Sequence, residues 1–322
     1  MRALFKQILK ASGTPVLQTR RGGEETILSA GNIWTSAHAR RIELCDRGLA
    51  PGAVVCSDAS AFQAIIDFVA CTIGGFVYVP VTPGRLRALQ RQVAMQPIRS
   101  AAGIAFIGGP NAWDHHPDLL PSSLAGLDAL DEAQLVLFRD TPDHITGFTA
   151  FTGKTIEAWL GSLSVRLKTP AGGTRLSYGS GYNDPGFVVD LLLGITNRQT
   201  IYLRDCAETS SRKMLSEMLE LGVDDLVLVP RMLDGLAREA QQTGIESRKK
   251  IRAIRLHSGG HTLSPRHLQV ALSCFSEVLV ETPPEVSGTI YTSPPNTQKP
   301  QLNNVCSSRL ISSAPNGLLS IF

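Results

Sequence analysis

Short apolar runs alternate with longer amphipathic stretches along most of this 322-residue chain. Short runs rich in Val, Ile, Leu and Phe predict buried strands, and apolar residues at every third or fourth position predict helices. Regular alternation of the two predicts parallel strands joined by crossover helices. The expected strands are 53–56, 76–79, 103–107, 174–178, 199–203, 225–229, 251–256 and 277–280. The expected helices are 30–47, 61–72, 86–94, 155–167, 184–196, 210–221, 230–242 and 264–275.

This order of elements predicts an α/β fold of stacked, mostly parallel sheets with flanking helices. We expect a first α/β subdomain over 1–140 and a second over 141–290. Residues 291–322 follow as a tail, in which Pro, Asn and Gln are frequent and predict irregular structure. In such sheets ligands bind beyond the carboxyl ends of the strands, and we expect Thr149 to Lys154, Ser258 to His261 and Glu281 to Glu285 to lie there around one cleft.

Composition narrows the class of protein without naming a function. A charged fraction of 18% and a hydrophobic fraction of 43% are those of an ordinary folded domain. The net charge of +3 gives no argument for nucleic acid, and the basic cluster at 248–255 is better interpreted as a solvated face. No stretch is long and apolar enough to span a membrane, and the first ten residues lack the pattern of a signal peptide.

The cysteines and histidines show no metal-binding or redox spacing. No two of the six cysteines form a CxxC pair, so we expect reduced thiols and a cytoplasmic protein. His115 and His116 lie in a Pro- and Asp-rich stretch, 111–121, which predicts a solvent-facing loop and not a metal site.

The segment from Ile145 to Trp159 contains Thr149-Ala150-Phe151-Thr152-Gly153-Lys154. Two hydroxyls, one glycine and one ammonium are the elements of a phosphate-binding loop, which needs residues without Cβ so that backbone N–H groups can approach the phosphate oxygens. Phe151 stands where a small residue is wanted, so the loop is degenerate. The alternative is a polar turn that caps a helix beginning near Thr155.

Several further segments share their order and spacing with one family. They are Gly48-Leu49-Ala50-Pro51-Gly52, the decapeptide from Gly74 to Pro83, Val229 to Leu233, Ser258-Gly259-Gly260 and Glu281 to Glu285. With Thr149 to Lys154 they resemble the adenylate-forming superfamily, which comprises acyl-CoA synthetases, luciferases and the adenylation domains of peptide synthetases. The resemblance covers most of residues 25–290 and implies the family's large N-terminal domain.

The resemblance implies ATP and Mg²⁺ as cofactors, and a small carboxylic acid or acyl group as substrate. Lys154 and Glu285 take the catalytic positions, and Glu285 takes that of the metal ligand. The nucleotide-binding positions fall on Thr149, Thr152, Gly153, Ser258, Gly259, Gly260 and His261.

Departures from the family pattern predict impaired catalysis. Glu281 replaces an aromatic ring that lies against adenine in the family, and Pro284 replaces a threonine that contacts phosphate. One carboxylate, Glu285, is a poor Mg²⁺ site unless substrate phosphates complete it. The family continues into a small barrel and a lid domain with an assisting lysine, whereas 37 residues follow Glu285 here. We therefore expect a degenerate N-terminal domain without the lid.

Three functions remain open. The first is a degenerate relative that keeps a carboxylate, acyl or nucleotide cleft but turns over little ATP; without such activity no cofactor is expected. The second is a working ligase whose lid or carrier protein is a separate chain. The third is a non-enzymatic interaction protein that binds no small molecule and can form oligomers. Exposed apolar area at Phe148, Phe151 and Trp159 would favour it.

Overall fold

The computed structural model describes residues 1–9, 15–21, 24–58, 61–95, 97–100, 103–108, 112–124, 127, 132–140, 145–166, 171–178, 185–204, 209–228, 230–243, 253–257, 266, 269, 277–282, 287–292 and 320–321.

Sheet A has eight strands, numbered here in chain order. They are β1 (Pro15–Arg21), β2 (Glu24–Ser29), β11 (Thr174–Ser177), β12 (Thr200–Arg204), β13 (Asp225–Leu228), β14 (Ala253–His257), β15 (Glu277–Thr282) and β16 (Ser287–Thr292). Their order across the sheet is β16-β15-β14-β13-β11-β12-β1-β2. Every neighbouring pair from β15 to β1 is parallel, and the two edge strands, β16 and β2, are antiparallel to their neighbours.

Sheet B has seven strands in the order β17-β10-β9-β4-β3-β6-β7. They are β3 (Val54–Ser57), β4 (Val77–Pro80), β6 (Ile104–Gly108), β7 (Ala112–His116), β9 (Ala133–Asp140), β10 (Ile145–Thr152) and β17 (Ser320–Ile321). The four strands β9, β4, β3 and β6 are parallel, and β7, β10 and β17 are antiparallel to their neighbours. A separate antiparallel pair joins β5 (Pro97–Arg99) to β8 (Leu119–Pro121).

Helices lie between the sheets and on their outer faces. They are α1 (Arg2–Leu9), α2 (Ala30–Asp46), α3 (Ala61–Gly74), α4 (Pro83–Met95), α5 (Gly153–Arg166), α6 (Pro185–Thr196), α7 (Ser211–Glu220) and α8 (Pro230–Gln242), with a 3-10 turn at Ser122–Leu124. One core cluster joins α1, α2, α3, α5 and α6 to residues of both sheets. Helix α4 packs on the other face of sheet B, and α7 and α8 pack on the other face of sheet A.

Strand residues of sheet B alternate between two buried faces. Val55 and Tyr78 belong to the core between the sheets, whereas their chain neighbours Val54 and Val77 belong to the core beneath α4. Successive side chains of a strand point to opposite faces, so a strand covered on both sides must be apolar throughout. This explains why short, continuous apolar runs identified these strands.

The structure confirms the expected α/β fold with stacked, mostly parallel sheets and flanking helices. The expected strands within the described residues and the helices α2 to α8 begin and end within a few residues of the observed bounds. The expected helix at 264–275 falls almost wholly outside the described residues. None of the described helices is long and apolar enough to cross a bilayer.

Three local expectations were wrong. Residues 111–121 were expected to be a loop, but they supply β7 and β8. The run Ala133–Asp140 was not predicted, yet it forms β9. The segment at Thr149–Thr152 was interpreted as a loop, but it is the second half of β10. The division into subdomains at residue 140 stays a prediction, and both sheets contain strands from each side of it.

Candidate functional site

The carboxyl ends of parallel strands define where a ligand is expected in each sheet. In sheet A the parallel strands β11 to β15 end at Ser177, Arg204, Leu228, His257 and Thr282. In sheet B the parallel strands end at Ser57, Pro80, Gly108 and Asp140.

The expected phosphate loop lies at the other end of sheet B. Strand β10 runs antiparallel to β9, and its last residue, Thr152, pairs with Ala133, the first residue of β9. Because β9 is parallel to β4, Gly153 and Lys154 lie at the amino ends of the parallel strands. The expectation that this segment lies beyond the strand carboxyl ends was therefore wrong.

The residues before Gly153 also lack the conformation of an anion-binding loop. Thr149 pairs with Leu137 within the ladder of β9 and β10, and Phe151 has 0% of its surface exposed. Backbone N–H groups in a strand alternate in direction, so they cannot converge on one phosphate. The degenerate loop seen in the sequence is thus a core strand of sheet B.

Thr152 caps helix α5. Its Oγ1 accepts a hydrogen bond from the backbone N–H of Thr155 at 3.2 Å and lies 3.0 Å from the Thr155 hydroxyl. This satisfies one of the N–H groups that have no partner within the first turn of a helix. The alternative interpretation, a polar turn that caps a helix near Thr155, is confirmed, although the helix begins at Gly153.

Lys154 is exposed beside a cleft of ≈ 370 Å³. The cleft is lined by Gly75, Glu132, Gln134 and Gly153, among others. A Cβ on Gly153 would lie 2.6 Å from Oε1 of Gln134, so glycine permits the close packing of α5 on β9. The carboxylate of Glu132 opposes anion binding here, and the role of Lys154 in phosphate binding stays a prediction.

The other predicted site residues, Ser258 to His261 and Glu285, lie outside the described residues. The chain enters the first of these segments from the end of β14 at His257, and β14 pairs with β15 so that His257 lies opposite Glu281. Both segments therefore follow neighbouring parallel strands of sheet A.

Two of the motifs that carried the resemblance contact each other as turns. The backbone N–H of Gly52 donates a hydrogen bond to the carbonyl oxygen of Gly75 at 2.8 Å. Both glycines have positive φ, at 89° and 76°, where a side chain would be strained. These glycines therefore shape the entries to β3 and β4, a structural role that needs no ligand.

A buried ionic network lies beneath the end of β3. Asp67, which is fully buried, accepts hydrogen bonds from Arg40 Nε at 2.9 Å, Gln63 Nε2 at 2.8 Å and Ser57 Oγ at 3.0 Å. Burial raises the pKa of the Asp67 carboxyl, against the opposing effect of the Arg40 guanidinium. Sequence reasoning missed this network because Arg40 and Asp67 belong to different helices.

The buried cysteines near this network are poor nucleophiles. Burial raises the pKa of both Cys56 and Cys71 far above the value of a free thiol, so both stay protonated at neutral pH. The phenol of Tyr78, also fully buried, has its pKa raised for the same reason. Cys56 and Cys71 are free thiols, as is Cys45, which is exposed.

A second network fixes the carboxyl ends of β11 and β12 to α7. Glu217 accepts hydrogen bonds from Tyr178 Oη at 2.7 Å and from Arg204 Nε at 2.9 Å. Burial raises the pKa of Glu217, but its hydrogen bonds and the Arg204 charge outweigh burial and hold it below the usual value. The same network was not visible in the sequence, and it holds the rim of sheet A in place.

The histidine pair belongs to β7 at the edge of sheet B. His116 Nε2 lies 3.1 Å from Asp114 Oδ2, and the His116 ring packs edge-on against Phe106. Burial lowers the pKa of His115. In the part of the chain that is described, no group of His, Cys, Asp and Glu side chains could hold a metal ion.

Two of the three aromatic residues named for the interaction hypothesis lie in the interior. Phe148 and Phe151 are 2% and 0% exposed, and Trp159 stacks on Phe151 with ring centroids 6.1 Å apart. Phe148 and Phe151 therefore offer no exposed apolar surface to a partner, whereas Trp159 is half-buried.

The fold is that of the N-terminal domain of adenylate-forming enzymes. VinN in complex with L-aspartate aligns with a TM-score of 0.66 at 13% identity, over 91% of this chain and 78% of VinN. O-succinylbenzoate coenzyme A synthetase from Bacillus subtilis, in complex with AMP, aligns with a TM-score of 0.66 at 12% identity, over 90% of this chain and 61% of the enzyme. ATP-bound MatB from Rhodopseudomonas palustris aligns with a TM-score of 0.65 at 13% identity, over 93% of this chain and 63% of MatB.

Comparison at the level of sequence adds no closer relative, because no family model and no curated protein matches the chain. The likeness rests on the arrangement of the backbone alone, at identities of 12–13% in these three proteins. The chain spans less than two thirds of two of them. Their activities are consequently not transferred by the alignment itself.

Proposed function

We propose that this protein is a catalytically impaired relative of the adenylate-forming enzymes that retains a binding cleft for a carboxylate, an acyl group or a nucleotide. The fold supports the relationship, since it aligns with such enzymes over about nine tenths of the chain. VinN was solved with L-aspartate and MatB with ATP, which supports these two ligand classes. A cytoplasmic location is part of the same proposal.

The main support for impaired catalysis is the structure of the segment from Thr149 to Lys154. A segment with the residues of a phosphate loop is a core strand followed by a capped helix, at the amino ends of sheet B. Strand β9 ends at Asp140, at the carboxyl ends of that sheet, and the sequence between it and β10 is Thr-Pro-Asp-His. With Asp140 this sequence offers two carboxylates and neither glycine nor lysine, which disfavours a polyphosphate.

Mg²⁺ has little support within the described residues. Magnesium takes oxygen ligands and relies on substrate phosphates to complete its shell. The expected ligand, Glu285, lies outside the described residues, and no cluster of ligands occurs within them. The role of Glu285 as a Mg²⁺ ligand therefore stays a prediction.

Pyrophosphate exchange and calorimetry test the proposal together. The purified chain should show no ATP–pyrophosphate exchange above the protein-free control with a panel of carboxylic acids. Calorimetry should show binding of at least one of ATP with Mg²⁺, AMP or a carboxylate from that panel. Robust exchange with any acid by the chain alone would falsify the proposed impairment. Absence of heat with every ligand would contradict the retained cleft and favour an interaction protein.

The second candidate is an active ligase that works with a separate lid or carrier protein. It is favoured by one neighbour, an adenylation and carrier protein, McyG A-PCP, solved with phenylalanyl-adenylate. This function predicts that the chain forms an acyl-adenylate only after a lid or carrier protein is added. The exchange assay with and without a lid domain from an active homologue separates it from the first proposal.

A further inference from the structure

A groove with mostly apolar walls is lined by residues of α1, α2 and α3. Its volume is ≈ 850 Å³. Helix α1 contributes Arg2 and Lys6, α2 contributes Trp34, Thr35 and His38, and α3 contributes Ile73 at the base. This volume lies within the range of about 300–1,000 Å³ that is usual for small-molecule sites.

The helical period explains why α1 turns its cations towards the groove. Phe5 and Leu9, four residues apart, are both fully buried in the core between the sheets. Arg2 and Lys6, also four residues apart, share another face of the helix and are exposed. The guanidinium group of Arg2 and the ammonium group of Lys6 therefore lie together at the rim of the groove.

Aromatic side chains form the opposite wall. The rings of Trp34 and His38 contact each other edge to face, with centroids 4.6 Å apart. Trp34 packs against the core cluster with one side and lines the groove with the other. An aromatic wall of this kind accepts the apolar part of a ligand and leaves its polar end at the rim.

The charged side chains that line the groove, Arg2 and Lys6, are both cationic. Among its described lining residues none is acidic. Neither Arg2 nor Lys6 forms a hydrogen bond or an ion pair with any other described residue. Two cations beside apolar walls are complementary to a ligand with an anionic head and an apolar body.

We infer that this groove binds an amphipathic carboxylate, whose head group pairs with Arg2 and Lys6 and whose tail lies along Trp34 and Ile73. The inference does not rest on the proposed function, because none of the described nucleotide-site residues, Thr149, Thr152, Gly153 and Lys154, lines the groove.

Tryptophan fluorescence provides a direct test. The chain has three tryptophans, and only Trp34 lines this groove. Sodium decanoate, titrated below its micelle concentration, should change the fluorescence of the wild-type protein saturably. The Trp34→Phe variant should lose the change while still binding decanoate in calorimetry. Decanol, which has the same tail without the charge, should bind at least about tenfold more weakly if two ion pairs contribute.

Variants at the rim decide the assignment. Arg2→Ala/Lys6→Ala should weaken decanoate binding by about tenfold. The matched control is Arg212→Ala, which removes an exposed cation from α7 and should leave binding unchanged. Both cations of the groove are exposed, so thermal melting of the double variant should match the wild type. No saturable signal in the wild type, equal binding of decanol, or undiminished binding by the double variant would overturn the inference.

Discussion

The hydroxyl of Thr152 accepts a hydrogen bond from the backbone N–H of Thr155 and so caps the helix that begins at Gly153. Replacement of an N-cap threonine by alanine typically costs about 1 kcal/mol. We expect Thr152→Ala to lower the free energy of unfolding by that amount, and Thr152→Ser to restore most of it. Urea denaturation measures both, and equal stability of the three proteins would show that the cap does not stabilise α5.

Lys154→Ala tests the predicted phosphate role of the neighbouring residue. Because Lys154 is exposed at the amino ends of sheet B, we expect the affinity for ATP with Mg²⁺ to change by less than about twofold, the effect of one exposed charge. Arg212→Ala on α7 is the matched control for loss of one surface cation. A much larger fall in affinity, seen only in Lys154→Ala, would assign phosphate binding to Lys154.

The sequence predicted the parallel strands better than the antiparallel ones, for a physical reason. Strands β3 and β4 are covered on both faces, so apart from Ser57 at the end of β3 they are apolar and form short, recognisable runs. Strand β10 contains three threonines and a glycine, and the sequence Thr-Gly-Lys that runs from its last residue into α5 has the composition of a loop. Its place in the sheet depends on β9, a partner that composition alone did not reveal.

The site was less predictable than the fold. The motifs that contain Gly52 and Gly75 can be recognised in the sequence. Only the structure shows that the backbones of these two glycines are hydrogen-bonded to each other. The contact of Arg204 with Glu217 joins a strand to a helix, and no local sequence pattern predicts such a contact. Sequence spacing also places a segment near a strand end without showing which end of the sheet it reaches.

Arg40→Met should lower the free energy of unfolding, because it leaves the buried Asp67 carboxylate without its cationic partner. Removing one partner of a buried ion pair typically costs about 3–5 kcal/mol, and the Glu43 bond of Arg40 is lost as well. The double variant Arg40→Met/Asp67→Leu removes both charges and should be closer to the wild type. Chemical denaturation of the three proteins measures this, and a double variant less stable than Arg40→Met would contradict it.

The pH dependence of Arg40→Met follows from the raised pKa of Asp67. A raised pKa in the folded state means that the protonated form is favoured by folding. Its contribution is fully present below the unfolded pKa, about 3.9, and is lost as the pH rises through the folded value. The deficit of Arg40→Met should therefore be smaller near that pH than at neutral pH.

Glu217 should have the opposite pH dependence. Its pKa is lowered in the folded state, so its contribution is present above the unfolded pKa, about 4.3, and is lost as the pH falls through the folded value. The wild type should melt above Glu217→Gln at neutral pH, and the difference should shrink on acidification. Melting curves across the acidic range measure it, and a difference that grows on acidification would contradict the assignment.

Gly103→Ala should be among the most damaging single changes. Gly103 has a φ of 62°, and a Cβ there would overlap the backbone carbonyl of Pro117. Strain at positive φ costs about 1–3 kcal/mol, and the overlap adds to it. Gly84→Ala is the control, since its Cβ would meet nothing within 4 Å at the start of α4. Similar unfolding free energies for the two variants would refute this expectation.

Strand β1 has a consequence for synthesis on the ribosome. Leu17 pairs with Ile201, so the N-terminal hairpin of β1 and β2 joins sheet A only when β12 has emerged. At roughly 5–20 residues per second, that interval lasts on the order of 10–40 s. A lone hairpin is marginally stable in water, so the nascent chain carries an open strand edge throughout this period. Translation speed and chaperones that cover such edges should therefore govern the yield of this protein.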